Sequence, residues 1–278
     1  MCSFHLHCGD YAAEIVAQGA GIKALSFRNE PLVETYTSTP PMTAGLVLAP
    51  WPNRTEDGEF SFDGQHYQLP INEPSRNNAL HGLVHEREWE LVQRSEDAVT
   101  LSCVISEHWV AEMTLMATYQ LHEGGLRVRY SVSSQEPAPF ALGLHTYLNA
   151  RGADCDDSEL TLNVTEHHLL DERNLLTGEV ELEGIAKHVL KGTVWDDLYR
   201  APEPLKAQFT AVGKGVQMRC GAGWQWVQLY TPDDYPGRGR ALAVEPMTAP
   251  INALRSGTDL VTVGPDESCV FELELAAI

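Results

Sequence analysis

The 278-residue chain has no apolar run near the ~18 residues that a membrane-spanning helix requires, so no membrane partner is expected. Cations are scarce: 19 Lys and Arg stand against 39 Asp and Glu, for a net charge of −20. Nucleic-acid binders carry basic stripes, so that class of partner is excluded and the acidity is assigned to solubility. Cys-x-x-Cys is absent, and the six cysteines, at 2, 8, 103, 155, 220 and 269, are scattered. That usage fits thiols in a reducing compartment better than a disulfide framework. The N-terminal MCSFHLHCGDYAAEIV shows no basic segment ahead of a long apolar one, so the expected location is cytoplasmic. Gly-rich phosphate loops, nucleophile elbows and spaced metal ligands are also missing. His5, His7 and Cys8 lie close together, but their spacing matches no structural zinc pattern. No cofactor and no metal are expected.

What is present is period-two alternation. In MTLMATYQL (113–121), Met113, Leu115, Ala117, Tyr119 and Leu121 share one face. Leu126, Val128, Tyr130 and Val132 repeat the pattern after a His-Glu-Gly-Gly turn, which predicts a hairpin. In GEFSFDGQHYQLP, Asp63-Gly64 supplies preferred two-residue turn chemistry between Phe60/Phe62 and Tyr67/Leu69. Val99, Leu101, Cys103 and Ile105 alternate, as do Trp224, Trp226 and Gln228, and Cys269, Phe271, Leu273 and Leu275. No long amphipathic helix or internal repeat accompanies them, and the polar stretch 151–159 is short enough to be a surface loop. The expected fold is all-β: a large antiparallel β-sandwich, with residues 1–278 as a single domain.

Five places break the pattern. In APWPNRTEDG, Arg54 emerges from a proline-rich turn, either as a surface arginine beside Glu56 and Asp57 or as a fork offered to a ligand. In NNALHGLVHEREW, His81 precedes Gly82, which permits close backbone approach; a loop histidine is the alternative. His145 follows an apolar stretch in PFALGLHTYLNA, where it serves either core packing or proton exchange. Asp196 and Asp197 lie in GTVWDDLY, which also suits a solvated turn. Glu245 ends ALAV and is followed at once by PMTAPI. A charge among apolar residues is costly unless it is paired or used, and the following proline is expected to stop the strand there.

Taken in order, PWPNR, LHG, GLHTYL, WDDLY and VEPMTAPINA resemble the aldose 1-epimerase (galactose mutarotase) family, particularly its bacterial branch. The resemblance extends from Gly19-Ala20-Gly21 through DGEFSFDGQHYQLP and LLDERNLLTGE to Ser256-Gly257. It implies a supersandwich whose concave face holds a free hexose, with His145 as general acid and Glu245 as general base. Arg54, His81 and Asp196, rather than Asp197, are the implied sugar-binding residues. Thr146 stands where many relatives have proline, and Ala249 where cysteine is common. Interconverting α and β anomers takes one acid and one base and no cofactor. The expected partner is a small sugar and the expected state a monomer or homodimer. The alternatives are a hexose-6-phosphate epimerase, which needs a cationic pocket not visible beside the motifs, and a non-catalytic sugar-binding protein. A glycoside hydrolase would ordinarily use two carboxylates. Trp51, Trp224 and Trp226 could stack on a sugar face, though core packing suits each better.

Overall fold

The computed structural model describes residues 2–202, 204–265 and 267–278. Antiparallel strands dominate, and the only α-helix among the described residues is the single turn Ala253–Ser256. One sheet has nine strands, in the order Glu90–Arg94, Ala98–Ile105, Met113–His122, Gly125–Ser134, Ser268–Ala277, Lys214–Cys220, Lys206–Ala211, Glu159–Leu162 and Ile185–Val189. A second, of eight, runs Leu176–Leu182, Glu166–Leu170, Asp196–Arg200, Trp226–Tyr230, Leu242–Met247, Gly143–Leu144 and Val47–Leu48. Its eighth member, Tyr147–Leu148, also pairs with Leu242–Met247. Among the described residues, no helix is long and apolar enough to cross a membrane.

The alternation read in the sequence becomes the core. The 113–134 hairpin pairs Met113 with Ser134 and Leu121 with Leu126, and its inward Met113, Leu115, Ala117, Tyr119 and Leu121 are all 3% exposed or less. Asp63 and Gly64 are both left-handed, as a two-residue hairpin turn requires. Leu101, Leu115 and Val128 of the nine-stranded sheet join Val227, Leu229 and Val244 of the other in one apolar cluster. Met113–His122 of the nine-stranded sheet buries one face only, whereas Leu242–Met247 is buried on both. Something besides solvent therefore covers the second face of that central strand.

Several expectations need correction. The strand holding Glu245 does not stop at Pro246 but runs on to Met247, with Pro246 opposite Val227. The hydrogen bonds on its other side explain why proline is tolerated. Val244 N–H donates to the Thr146 carbonyl and Thr248 N–H to that of Leu142. An N–H at 246 would fall between them, and the intervening Leu144 carbonyl takes the Thr146 N–H at 2.9 Å instead. Trp224 precedes its strand and enters the main core, while Trp226 packs on the opposite face with Leu198 and Met247. Trp51 is buried as well, stacked on Trp109 with ring centroids 5.6 Å apart. The 151–159 loop is not simply solvated: Cys155 and Ser158 are buried, and Arg238 and Arg240 grip it. His5 and His7 face out while Cys8 turns toward the core, so the three do not converge.

Candidate active site

Period two also assembles polar residues on the second face of the eight-stranded sheet. Along Leu242–Met247, Leu242 and Val244 enter the main core, leaving Ala243, Glu245 and Met247 on the other face. Along Trp226–Tyr230, Val227 and Leu229 point to the core and Gln228 does not. Gln228 lies directly opposite Glu245 in register, and its amide donates to Asp196 Oδ1 at 2.8 Å. Asp197, one residue on, points away and bonds His167 at 3.0 Å. Asp196 is thus the aspartate brought to Glu245.

His145 reaches the same place by leaving its strand. Its N–H donates to the Leu46 carbonyl at 3.0 Å and its carbonyl accepts from Gly45 N–H at 2.7 Å. Thr146 contributes the N–H that closes this turn on Leu144. The ring stacks on Tyr147, centroids 5.3 Å apart, and places Nε2 3.3 Å from Glu245 Oε1. His145 is 5% exposed and Glu245 2%.

His81 arrives from a folded-back turn. His81 and Gly82 are both left-handed, at φ 64° and 78°, and His81 N–H donates to the Asn53 carbonyl at 2.9 Å. Leu83 N–H then bonds the Ala49 carbonyl at 2.7 Å, and a Cβ on Gly82 would lie 2.1 Å from that same oxygen. Only glycine fits so close an approach. The His81 ring meets His145 edge-on at 5.4 Å.

Arg54 is not beside Glu56 and Asp57. It is 9% exposed, and its guanidinium grips Glu73 through Nε at 2.9 Å and NH2 at 3.0 Å, with NH1 on Asn53 Oδ1. Asn53 in turn donates to Gln228, and Asn174 donates to Asp196 Oδ2. Glu56 and Asp57 hold Arg173 and Arg255 instead. Cations therefore do gather near the motifs, contrary to the sequence reading, but each has a carboxylate partner.

The five predicted residues fall into one neighbourhood: His145, Glu245 and His81 in mutual or serial contact, Asp196 through Gln228, and Arg54 through Asn53. Gln228, Asn53, Asn174 and Glu73 are members that the sequence reading missed. Gln228 carried a signal, being polar in an otherwise apolar alternation.

Electrostatics here are governed by burial. It pushes the Glu245 carboxyl well above the ordinary range; the charge of Asp196 adds to this and that of Arg54 opposes it. Burial pulls His145 down to about 3, and holds His81 well below the usual value with help from His145, His85 and Arg54. Separate charges are thus disfavoured at the His145–Glu245 contact, and one proton belongs to the pair. Nδ1 of His145, Nδ1 of His81 and Oε2 of Glu245 are buried with no protein partner, so water or a polar ligand must satisfy them. Acid, base and orphaned polar groups in one place can move protons on a small polar molecule.

The model of the family described as aldose 1-epimerase matches residues 3–276. The chain is 32% identical over 271 residues to the uncharacterized protein YihR of Escherichia coli (strain K12), covering 92% of this chain and 87% of that protein. It is 29% identical over 204 residues to the galactose mutarotase of Rattus norvegicus, covering 66% and 58%. A galactose mutarotase-like protein from Clostridium acetobutylicum has the same fold, at TM-score 0.87 and 19% identity, over 99% of this chain and 94% of that one. Together with the antiparallel sheets described above, these matches establish that the chain belongs to the aldose 1-epimerase family.

Proposed function

We propose that this protein is an aldose 1-epimerase that interconverts the α and β anomers of a free hexose such as glucose or galactose. The observation that carries this reading is the buried 3.3 Å contact between His145 Nε2 and Glu245 Oε1. An anomeric carbon bears two oxygens, the ring oxygen and the C1 hydroxyl. An acid and a base this close can address both at once.

With the pair's proton on His145, the Glu245 carboxylate takes the C1 hydroxyl proton. The C1–O bond to the ring oxygen breaks as the carbonyl forms, and His145 protonates that oxygen. The result is neutral His145 and protonated Glu245, the arrangement that burial favours. Rotation about C1–C2 and closure on the other face run the transfers in reverse. The positive charge of Arg54 favours the carboxylate form of Glu245, opposing burial and narrowing the gap between the two arrangements. Arg54, His81 and Asp196 hold the sugar hydroxyls, and no cofactor or metal enters the balance. All six cysteines are unpaired, which supports a reducing, cytoplasmic setting.

The test is anomer equilibration, followed by polarimetry or NMR exchange, across a panel of free and phosphorylated hexoses. Acceleration of a free hexose is expected. Sugar binding without acceleration would instead make this a non-catalytic binding protein.

A further inference from the structure

Arg54 is held in a way that the epimerase chemistry alone does not require. Glu73, whose side chain is 11% exposed, accepts hydrogen bonds from two guanidinium nitrogens of Arg54, Nε and NH2. The same carboxylate accepts from Arg76 NH1 at 3.1 Å and from Asn78 Nδ2 at 3.0 Å. Asn78 is fully buried and also donates to the Arg173 carbonyl, one residue before Asn174, which bonds Asp196. Burial would push the Glu73 carboxyl up, but the bonds from Arg54 and Asn78 and the Arg54 charge outweigh it and leave it low. Glu73 is therefore ionised beside Arg54 at neutral pH. It fixes two of the three guanidinium nitrogens, and it brings a compensating negative charge to the one cation among the five site residues.

We propose that Glu73 is a positioning residue that sets the substrate class: it fixes Arg54 and cancels its charge, so the site takes uncharged hexose hydroxyls in preference to anionic groups. The proposal rests on the sugar-epimerase reading above. An unpaired Arg54 would offer a bidentate fork to a carboxylate or phosphate; occupied by Glu73, it offers only its remaining N–H groups. Glu73 also moderates the pull of Arg54 on Glu245. The other groups bearing on Glu245 are His145 in direct contact, Asp196, and the phenols of Tyr147 and Tyr230.

The experiment compares the wild-type protein with Glu73→Gln, which keeps the shape and removes the charge. Its first measurement is kcat/KM for glucose and for glucuronate at fixed ionic strength. The variant is expected to lose glucose turnover mainly through KM, and its glucuronate-to-glucose ratio should rise roughly tenfold. An unchanged ratio overturns the proposal. The second measurement needs no sugar: carbon NMR titration of the Glu245 carboxyl should give a lower midpoint in the variant, and an unchanged midpoint overturns the proposal. Failure of the wild type to turn over any sugar would sink the epimerase reading, while the titration still decides the charge effect of Glu73. Should Glu73→Gln not fold, Glu73→Asp keeps the charge but shortens the reach. It is expected to raise KM while leaving the glucuronate ratio and the Glu245 midpoint as in the wild type. A shifted ratio in that variant would equally overturn the proposal.

Discussion

Gln228 and Glu245 face each other across two central strands, and Gln228 links Asp196 on one side directly to Asn53 on the other. Through Asn53 the chain of bonds continues to Arg54 and Glu73. The carboxylate assigned the proton transfer therefore lies against a continuous polar network built on rigid strands. Such a network holds its members in one geometry and makes each sensitive to loss of a neighbour.

Replacing Glu245 by Gln keeps the side-chain shape and removes the base. Mutarotation of a free hexose is expected to fall about 10²–10⁴-fold, the usual worth of a positioned acid–base group, while sugar binding persists. NMR exchange between anomers would measure the first effect and ligand-observed titration the second. A folded variant with near-wild-type turnover would remove Glu245 from its assigned role.

The same substitution should change how stability depends on pH. Burial raises the folded-state pKa of Glu245 above its ordinary 4.5, so the folded protein keeps a proton that the unfolded chain releases. The stability this contributes is fully present below pH 4.5 and is lost as pH rises through the folded pKa. Gln does not ionise and has nothing to lose. Urea denaturation of both proteins, from roughly pH 4 to 8, should therefore show the stability of Glu245→Gln relative to wild type growing as pH rises. A constant or shrinking difference would mean that the carboxylate is not held protonated by its surroundings.

How much of this was legible in the sequence depends on whether the signal was local. Alternation announced the strands, and the 113–134 hairpin and the Asp63-Gly64 turn formed where the pattern placed them. Polar residues in apolar runs marked His145, Glu245 and Asp196. What local patterning cannot carry is which distant segments meet. Glu73 pairs with Arg54 across 19 residues, and Gln228 with Asn53 across 175. Pro246 misled for the opposite reason. Proline normally ends a central strand, but here a neighbouring carbonyl is already occupied by Thr146, a fact visible only once the sheet is assembled.

Gly82 tests the turn that presents His81. Alanine there would carry φ 78° and meet the Ala49 carbonyl oxygen at 2.1 Å, a backbone atom that cannot rotate away. Backbone strain of this kind costs roughly 1–3 kcal/mol before the clash is counted. Gly82→Ala is expected to lower the denaturation midpoint and to weaken sugar binding through displacement of His81. Gly152→Ala serves as the control, since its φ of 88° is equally strained but nothing lies within 4 Å. Equal losses in midpoint and affinity for the two variants would show that close approach to Ala49 does not matter.

Substrate charge gives the last test. The protein carries a net charge of −20, and the arginines gathered near the motifs are already engaged: Arg54 and Arg76 by Glu73, Arg173 and Arg255 by Glu56 and Asp57. A sugar phosphate entering the site would meet the Asp196 carboxylate with no unpaired guanidinium among these four to receive it. Like charges in a partly dry site repel more strongly than in water, so the phosphate is penalised most where it is desolvated. Free glucose or galactose is therefore expected to give a higher kcat/KM than the corresponding 6-phosphate. The gap should narrow as salt is added, because screening weakens the repulsion from surface carboxylates more than that from buried ones. Side-by-side anomer equilibration at two ionic strengths measures both effects. A clear preference for the 6-phosphate would require one of these ion pairs to open on binding, and would move the protein to the hexose-6-phosphate class.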